Sequence, residues 1–426
     1  MLLEVDILSM QKYEKKQNNY SLGILNLFKE YWRQLQAVDN EYKLYSAGIL
    51  TCAIFVFILF SAASFNNIEP RSEVFFSKRA LPRLLMVKAD RMSLPQEVRG
   101  IYISAYTASD KVRREKLFKM IDDTELNSVV IDVKDSTGHI FFDAHDPLLV
   151  SSGAIDARIK DFDDILVNLH DRGIWTIARI VVFQDPKFAD ARPDLAVHSA
   201  SSGKAWRDRK GLRWMDPSSK DVWDYNAALA RETIVRGFDE VQFDYVRFPS
   251  DGNIADMRFP VWDAKVPKYE VLKQFFQYMD KSLAASGGKL SVDLFGLTFS
   301  RADKPNDDLN IGQRVIDALH NVDFISPMVY PSHYPPTFQG YANPAEHPYQ
   351  IVNFALKGAA KLFTTDTRAK SRPWLQDFNL GANYTTAMVK DQIRAARENN
   401  ASGWLLWNPS NVYTVGALEK EPKPNE

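Results

Sequence analysis

The 426-residue chain has a single cysteine and almost no net charge. Because Cys52 stands alone, the chain cannot form a disulfide framework or a zinc site made of cysteines. Its 53 lysines and arginines are matched by 54 aspartates and glutamates, so it lacks the positive excess that attracts nucleic acid. The remaining composition, 45% hydrophobic and 25% charged, is typical of a globular protein and excludes a disordered chain.

Motifs that hold metal ions or activate a serine are also missing. The seven histidines form no His-x-His or His-Glu-x-x-His pattern, and no Gly-x-Ser-x-Gly sequence occurs. We therefore expect neither a metal ion nor another cofactor, and we expect no catalysis by a serine nucleophile.

One long hydrophobic run, residues 44–68, contains no charged residue. A helix that spans a membrane needs about 20 mostly apolar residues. A buried core helix or a cleaved signal peptide are alternatives, but 43 residues precede the run, more than an ordinary signal peptide carries. We therefore predict a single-pass signal anchor. It would follow a cytoplasmic tail (1–43) and precede a linker (69–97), a globular domain (98–418) and a polar tail (419–426).

Short β-branched runs alternate with helical patterns through the globular domain. The predicted strands are 101–106, 128–134, 175–183, 240–244, 290–295, 324–330, 373–376 and 403–408. The predicted helices are 111–123, 162–172, 219–236, 268–285, 311–320, 346–362 and 386–399. Eight strands alternating with helices predict a (β/α)8 TIM barrel. An open doubly wound sheet is the alternative, but it needs a glycine-rich loop after the first strand, and residues 101–111 contain no glycine.

Polar residues recur at every second position near the ends of the predicted strands. The sets are Asp132 with Lys134, Gln242 with Asp244, and Ser291 with Asp293. Because the apolar face of each strand must pack under the helices, the polar face points into the barrel. Active sites of such barrels form at the carboxyl ends of the strands. Each carboxylate alone could instead be structural, paired with Lys134, Arg179 or Arg247.

The segment 237–249, which reads GFDEVQFDYVRFP, is the most specific motif of the chain. Five further segments carry the same family resemblance as this motif. They are 133–135 with Gly138, 213–217, 326–334, 372–378 and 407–409. Over residues 100–418 the chain resembles an uncharacterised bacterial family of glycoside hydrolase barrels, which implies a glycosidase-type TIM barrel. It is more loosely similar to chitinase-type barrels. Their catalytic glutamate has no counterpart, because Val246 and Arg247 occupy that stretch.

Glycoside cleavage requires two carboxyl groups that flank one bond. Asp244 and Asp293 would lie at matching heights on adjacent strands, so we predict that they form the catalytic pair. The likeness to barrels with an aspartate on strand 4 implies that Asp244 is the nucleophile or base. Asp293 would be the acid, with a pKa raised by burial.

Further residues are predicted to bind the carbohydrate through hydroxyl contacts or aromatic faces. They are Asp132, Lys134, Arg179, Trp214, Gln242, Arg247, Tyr330, His333, Gln376 and Trp407. The long connection of residues 184–217, which holds Trp206 and Trp214, is expected to form one wall of the cleft.

We therefore expect a glycosidase that acts on an envelope or extracellular polysaccharide. Lysines and arginines are similarly frequent on both sides of residues 44–68, so charge does not orient the anchor. The expected glycan substrate favours a barrel outside the cytoplasm. The alternatives are a barrel that binds carbohydrate without cleaving it, and another hydrolase or lyase that uses the same carboxylates.

Overall fold

The computed structural model describes residues 92–420. The predicted N-terminal tail, signal anchor and most of the linker lie outside these residues, as do residues 421–426. Within 92–420, no helix is both long enough and apolar enough to cross a membrane.

Eight parallel strands form a closed barrel, as predicted. They are β1 (Val98–Ile103), β2 (Ser128–Lys134), β3 (Trp175–Val181), β4 (Glu240–Asp244), β5 (Lys289–Phe295), β6 (Phe324–Met328), β7 (Trp374–Gln376) and β8 (Gly403–Trp407). Each strand pairs with its neighbours in chain order, and β8 returns to β1. The pairing of Met328 in β6 with Trp374 in β7 completes the ring.

The seventh position of the barrel is occupied by an interrupted strand. Lys370–Ser371 pairs with β6, and β7 begins only at Trp374 and pairs mainly with β8. Pro373 lies at the interruption, and a proline has no N–H to contribute to a strand ladder. The barrel is therefore least regular beside β7.

Helices fill the connections between the strands. They are α1 (Ala105–Ser109), α2 (Lys111–Asp122), α3 (Pro147–Ser151), α4 (Phe162–Asp171), α5 (Pro186–Ala191), α6 (Lys220–Arg236), α7 (Lys268–Leu283), α8 (Gly296–Ser300), α9 (Val315–Ala318), α10 (Pro348–Ala359) and α11 (Thr386–Glu398). The predicted helix 311–320 is reduced to α9. After β8, the described chain has only the 3-10 turn Val415–Ala417.

The first strand ends earlier than predicted. β1 stops at Ile103, and the Ser104 side chain accepts a hydrogen bond from the backbone N–H of Thr107 at the start of α1. Tyr106 therefore lies on this short helix, 54% exposed, and not on an inward strand face. A serine N-cap overrides the alternating pattern at this point.

Alternating strand residues separate two hydrophobic layers. Val129 and Ile131 of β2 belong to the large core between the strands and the helices. Val130 belongs to a smaller cluster inside the barrel, together with Ile177 and Trp374. The apolar face of β2 thus packs outward, as the sequence pattern predicts.

An ion pair fills the bottom of the barrel. Glu240, at the start of β4, and Arg372, just before β7, are both completely buried. The Arg372 guanidinium donates to both carboxylate oxygens of Glu240, which also accepts from Ser291 and, at 3.1 Å, from the Trp175 indole. A buried charge pair is tolerated when hydrogen bonds compensate its desolvation. Here both carboxylate oxygens of Glu240 accept from Arg372, and of the guanidinium nitrogens only Nε has no partner among the described residues. The floor is therefore a packed, neutralised layer beneath the upper polar residues.

Candidate active site

The carboxyl ends of the strands surround a cavity of about 540 Å³. Arg179, Asp244 and Asp293 contribute to its wall from β3, β4 and β5, and Trp374 and Trp407 contribute from β7 and β8. The volume is within the range of about 300–1,000 Å³ that is usual for small-molecule sites. The cavity lies at the end of the barrel where active sites of this fold form.

One arginine links two strand-end carboxylates. Nη1 of Arg179 donates to Asp132 Oδ1 at 2.6 Å, while Nη2 and Nε donate to Asp244 Oδ2 at 2.5 and 3.1 Å. The Tyr102 hydroxyl donates to the other oxygen of Asp132 at 2.5 Å. All four side chains are buried. Because a guanidinium stays protonated, this bridge places a positive charge directly against the carboxylate groups of Asp132 and Asp244.

The backbone after β4 adds a second donor to Asp244. Tyr245 has φ of 53°, in the left-handed region that bulky residues rarely adopt. Its N–H donates to Asp244 Oδ1 at 2.6 Å. Such a conformation costs about 1–3 kcal/mol and is often found at functional sites. It holds the carboxylate plane of Asp244 in a defined orientation.

Asp293 has a different environment. The pairing of Phe243 with Val292 places Asp244 and Asp293 one step further along adjacent strands. The Trp374 indole N–H donates to Asp293 Oδ1 at 2.8 Å, and Asp293 is only 1% exposed. Burial, followed by the negative charge of Asp244, raises the pKa of Asp293 well above its usual value, although Arg179 opposes the shift. These surroundings favour a proton on Asp293; burial also raises the pKa of the neighbouring Asp132, although Arg179 and Tyr102 oppose that shift.

Seven of the predicted site residues line the cavity. They are Arg179, Asp244, Arg247, Asp293, Tyr330, His333 and Trp407. The predicted residues that do not line it are Asp132, Lys134, Trp214, Gln242 and Gln376. Of these five, Asp132 still acts on the site, because it holds Arg179.

The alternation predicted that Lys134 shares the inward face of Asp132. In the structure it does not. The register between β2 and β3 shifts between these two residues, as at a β-bulge. Lys134 Nζ consequently donates to Asp185 at 2.6 Å and to Asn226 of α6 at 3.1 Å. It is completely buried in this ion pair and is a structural residue.

Gln242 and Gln376 serve the walls of the barrel and not its cavity. Gln242 lies two residues below Asp244 and donates to Ser326 at 3.1 Å. Gln376 accepts from the Ser332 hydroxyl at 2.9 Å and donates to the Phe378 carbonyl at 2.9 Å. It therefore braces the loops that follow β6 and β7.

The long connection of residues 184–217 contributes less to the cleft than expected. Of this segment, only Lys210 lines the cavity. Trp206 and Trp214 are 3% and 1% exposed, and the indole N–H of Trp214 donates to Asp208 at 3.0 Å. Trp214 thus has no free face for a sugar, and its ring packs against the Arg247 guanidinium, 4.7 Å from the ring centroid.

Trp374 is the main site residue that the sequence reasoning missed. It holds the carboxyl group of Asp293, and it lies two positions before Gln376, which was predicted to point inward. Period-two alternation therefore placed Trp374 on the inward face, but only polar residues of the strands were considered as candidates.

Among residues 92–420, no group of three or more histidine, cysteine or acidic side chains is arranged to hold a metal ion.

A TIM barrel with buried carboxyl groups at its open end has the architecture used by many glycoside hydrolases. Residues 100–413 match the model of a family described as "Putative glycosyl hydrolase domain". The chain belongs to this family, and thereby to the glycosidase class. Among curated proteins, none matches its sequence.

The chain is also similar to several solved structures. A hypothetical protein from Ruminiclostridium thermocellum is 34% identical, with 45% of this chain and 96% of that chain covered and a TM-score of 0.42. The PgaB (BpsB) glycoside hydrolase domain from Bordetella bronchiseptica is 15% identical, with coverage of 74% and 94% and a TM-score of 0.56. An alpha-galactosidase from Thermus thermophilus is 12% identical, with coverage of 76% and 60% and a TM-score of 0.46.

Replacing the buried acid should reveal its protonation through stability. Since the folded-state pKa of Asp293 is raised, its contribution to stability is fully present below the ordinary aspartate pKa and is lost as the pH rises through the folded value. Asp293→Asn cannot ionise and avoids this loss. We expect the variant to gain stability relative to the wild type as the pH rises from 4 toward neutrality, in melting curves of both proteins. A difference that is the same at every pH would contradict the shift.

Proposed function

We propose that this chain is a membrane-anchored glycosidase that cleaves an envelope or extracellular polysaccharide with Asp244 and Asp293. The observation that carries the proposal is the contrast between the two carboxyl groups in one cavity. Asp244 is paired with Arg179 at 2.5 Å, whereas Asp293 is buried against Trp374 with a raised pKa. Pairs of carboxyl groups whose environments favour different protonation states are typical of glycosidase acid–base chemistry.

The roles follow from the contacts. Asp293 would donate its proton to the glycosidic oxygen as the bond to the leaving sugar breaks. The indole of Trp374 occupies Oδ1, which leaves Oδ2 for the proton. The ionised Asp244 would attack the anomeric carbon, or would remove a proton from the attacking water. Arg179 and the Tyr245 N–H both donate to this carboxylate and would aim it.

Aromatic side chains complete a surface suited to sugar rings. Trp407 lines the cavity while its ring stacks on Tyr102, with centroids 3.9 Å apart. Trp374 meets Trp407 edge to face at 5.5 Å, and Tyr330 also lines the cavity. The C–H face of a pyranose ring would pack on Trp407, the half-buried member of this group, with the scissile bond held near the two carboxyl groups. Trp374, only 1% exposed, would support Trp407 from the side.

Acid catalysis by Asp293 predicts a dependence on the leaving group. After a glycan-library screen with the full chain identifies a substrate, Asp293→Asn should lower kcat by about 10²–10⁴-fold on the natural linkage. A glycoside of the same sugar with an activated aryl leaving group needs little protonation, so the variant should lose much less activity on it. Asp244→Asn should be impaired on both substrates, because no leaving group replaces the nucleophile or base.

Two results separate this mechanism from its alternatives. The matched control is Asp308→Asn, a partly buried aspartate outside the cavity wall, which should keep full activity. Full activity of both Asp244→Asn and Asp293→Asn would exclude the catalytic pair. Unchanged glycan binding in these two variants, together with the absence of cleavage by the wild type, would instead identify a barrel that only binds carbohydrate.

The localisation is part of the proposal. Residues 44–68 are long and apolar enough to be a signal anchor, and a polysaccharide substrate implies that the barrel lies outside the cytoplasm. Alkaline phosphatase fused after residue 426 should be active, and a reporter that works only in the cytoplasm should be silent at the same position. The reverse pattern would place the barrel in the cytoplasm.

A further inference from the structure

We propose that the cavity recognises an anionic group on its sugar, a carboxylate or a phosphate, through Arg247 and Lys210. This inference rests on the proposed function, because it names the substrate class of the same cavity. It starts from an arginine that the catalytic roles above do not use. Arg247 follows Asp244 by three residues, lies in the loop after β4 and lines the cavity.

Arg247 forms no direct ion pair with a described residue. The residue is only 7% exposed, and no carboxylate of residues 92–420 lies within salt-bridge distance of it. Its Nη1 donates to the Phe248 carbonyl at 3.2 Å and to the Ser250 hydroxyl at 2.8 Å. The hydrogen bonds of its guanidinium to described residues are made by Nη1 alone, which leaves Nε and Nη2 free to donate to a ligand. A buried guanidinium with unused donors is costly unless an anion completes it.

Asp244, Asp251 and Asp208 act electrostatically on Arg247, but none of them forms an ion pair with it, and Asp208 is hydrogen-bonded elsewhere. Asp208 accepts hydrogen bonds from the Gln184 amide at 2.6 Å and from the Trp214 indole at 3.0 Å. It also accepts from the backbone N–H groups of Lys210 and Leu212. Its oxygens are therefore occupied by these donors and not by Arg247. Asp244 is similarly engaged by Arg179.

Aromatic rings hold the guanidinium in place. The Cζ atom of Arg247 lies 4.7 Å from the centroid of the Trp214 ring, 5.3 Å from that of Tyr245 and 5.0 Å from that of Phe295. Tyr245 and Phe295 also line the cavity. A guanidinium clamped in this way is a preorganised fork, and such forks bind carboxylate or phosphate through paired hydrogen bonds.

Lys210 adds a second positive charge to the same wall. It is exposed and lines the cavity from the connection between β3 and β4, and it forms no ion pair with a described residue. Burial lowers the pKa of Arg247, so a bound anion would also relieve the cost of keeping this group charged. An acidic sugar would pair with these two cations, whereas a neutral sugar would leave both without an anion.

Matched ligands isolate the charge. The probes are glucuronate, galacturonate and mannuronate as methyl glycosides, their methyl esters, and the 6-phosphates of the parent sugars, titrated into the full chain by NMR or calorimetry. At least one anion should bind about tenfold or more tightly than its neutral partner, as expected for a charge-assisted hydrogen bond. The uronate and phosphate arms identify which anion is the source. If no anion is preferred over its neutral partner, the inference is wrong.

Variants locate the effect. Arg247→Gln should abolish the preference for the anion, Arg247→Lys should retain part of it, and Lys210→Gln should weaken it. Arg209→Gln and Lys204→Gln, exposed residues of the same connection outside the cavity wall, should not change it. Melting curves show whether each variant is folded. If Arg247→Gln does not fold, the exposed Lys210→Gln still tests the proposal. A preference that survives both Arg247→Gln and Lys210→Gln would overturn the assignment.

The outcome also separates this inference from the proposed function. Cleavage that depends on Asp244 but is confined to neutral glycans would leave the glycosidase standing and remove the anion subsite. Anion binding that depends on Arg247, with no cleavage of any acidic or neutral glycan, would leave the subsite standing and remove the glycosidase.

Discussion

The arrangement of the site depends on one buried cation, Arg179, which lies between Asp132 and Asp244. A parallel barrel brings the carboxyl ends of its strands together, so polar side chains there must share a small volume. Burying several carboxylates without compensation is prohibitive. Arg179 pairs with two of them, Asp132 and Asp244, whereas Asp293 is held by the Trp374 indole and has a pKa raised well above its usual value. The difference between the two candidate catalytic groups follows from this single bridge.

The rest of the barrel supports that asymmetry. The Glu240–Arg372 pair neutralises the floor, so the polar residues above it rest on a packed layer. Trp374, next to the interrupted seventh position of the barrel, carries the indole that holds Asp293. Tyr245 contributes its N–H to Asp244 from a left-handed backbone conformation. Floor, strand interruption and strained turn therefore all act on the same pair of carboxyl groups.

Much of the fold was predictable because two simple periodicities agree along the chain. The bounds predicted for β2 and β4 match the structure. Gly237, with φ of 124°, ends α6 shortly before β4 begins, so the helix stop was readable from the sequence. Alternation also identified Asp244 and Asp293 as inward-facing residues at the cavity. It was reliable wherever a strand is regular and one face packs under helices.

The errors occur where those conditions fail. Lys134 turns toward α6 because the register shifts beside it, and Tyr106 lies on a helix because Ser104 caps it. The alternation of side chains predicts that Gln242 points into the barrel, but not how far along the barrel axis it lies. In the structure Gln242 lies below the cavity. Trp214 belongs to a loop, where no periodicity applies, and only tertiary contacts show that it is buried. Residues that act through packing are therefore the part of the site that the sequence pattern could not supply.

The protonation states of the two aspartates at neutral pH test the central claim most directly. Infrared spectra of the full chain, compared with spectra of Asp293→Asn and Asp244→Asn, report the carbonyl stretch of a protonated carboxylic acid. The account predicts a protonated-acid component at neutral pH that is present in the wild type and in Asp244→Asn and is missing from Asp293→Asn, as shown by difference spectra. A band that disappears only in Asp244→Asn, or no protonated acid in the wild type, would contradict the division of roles between Asp244 and Asp293.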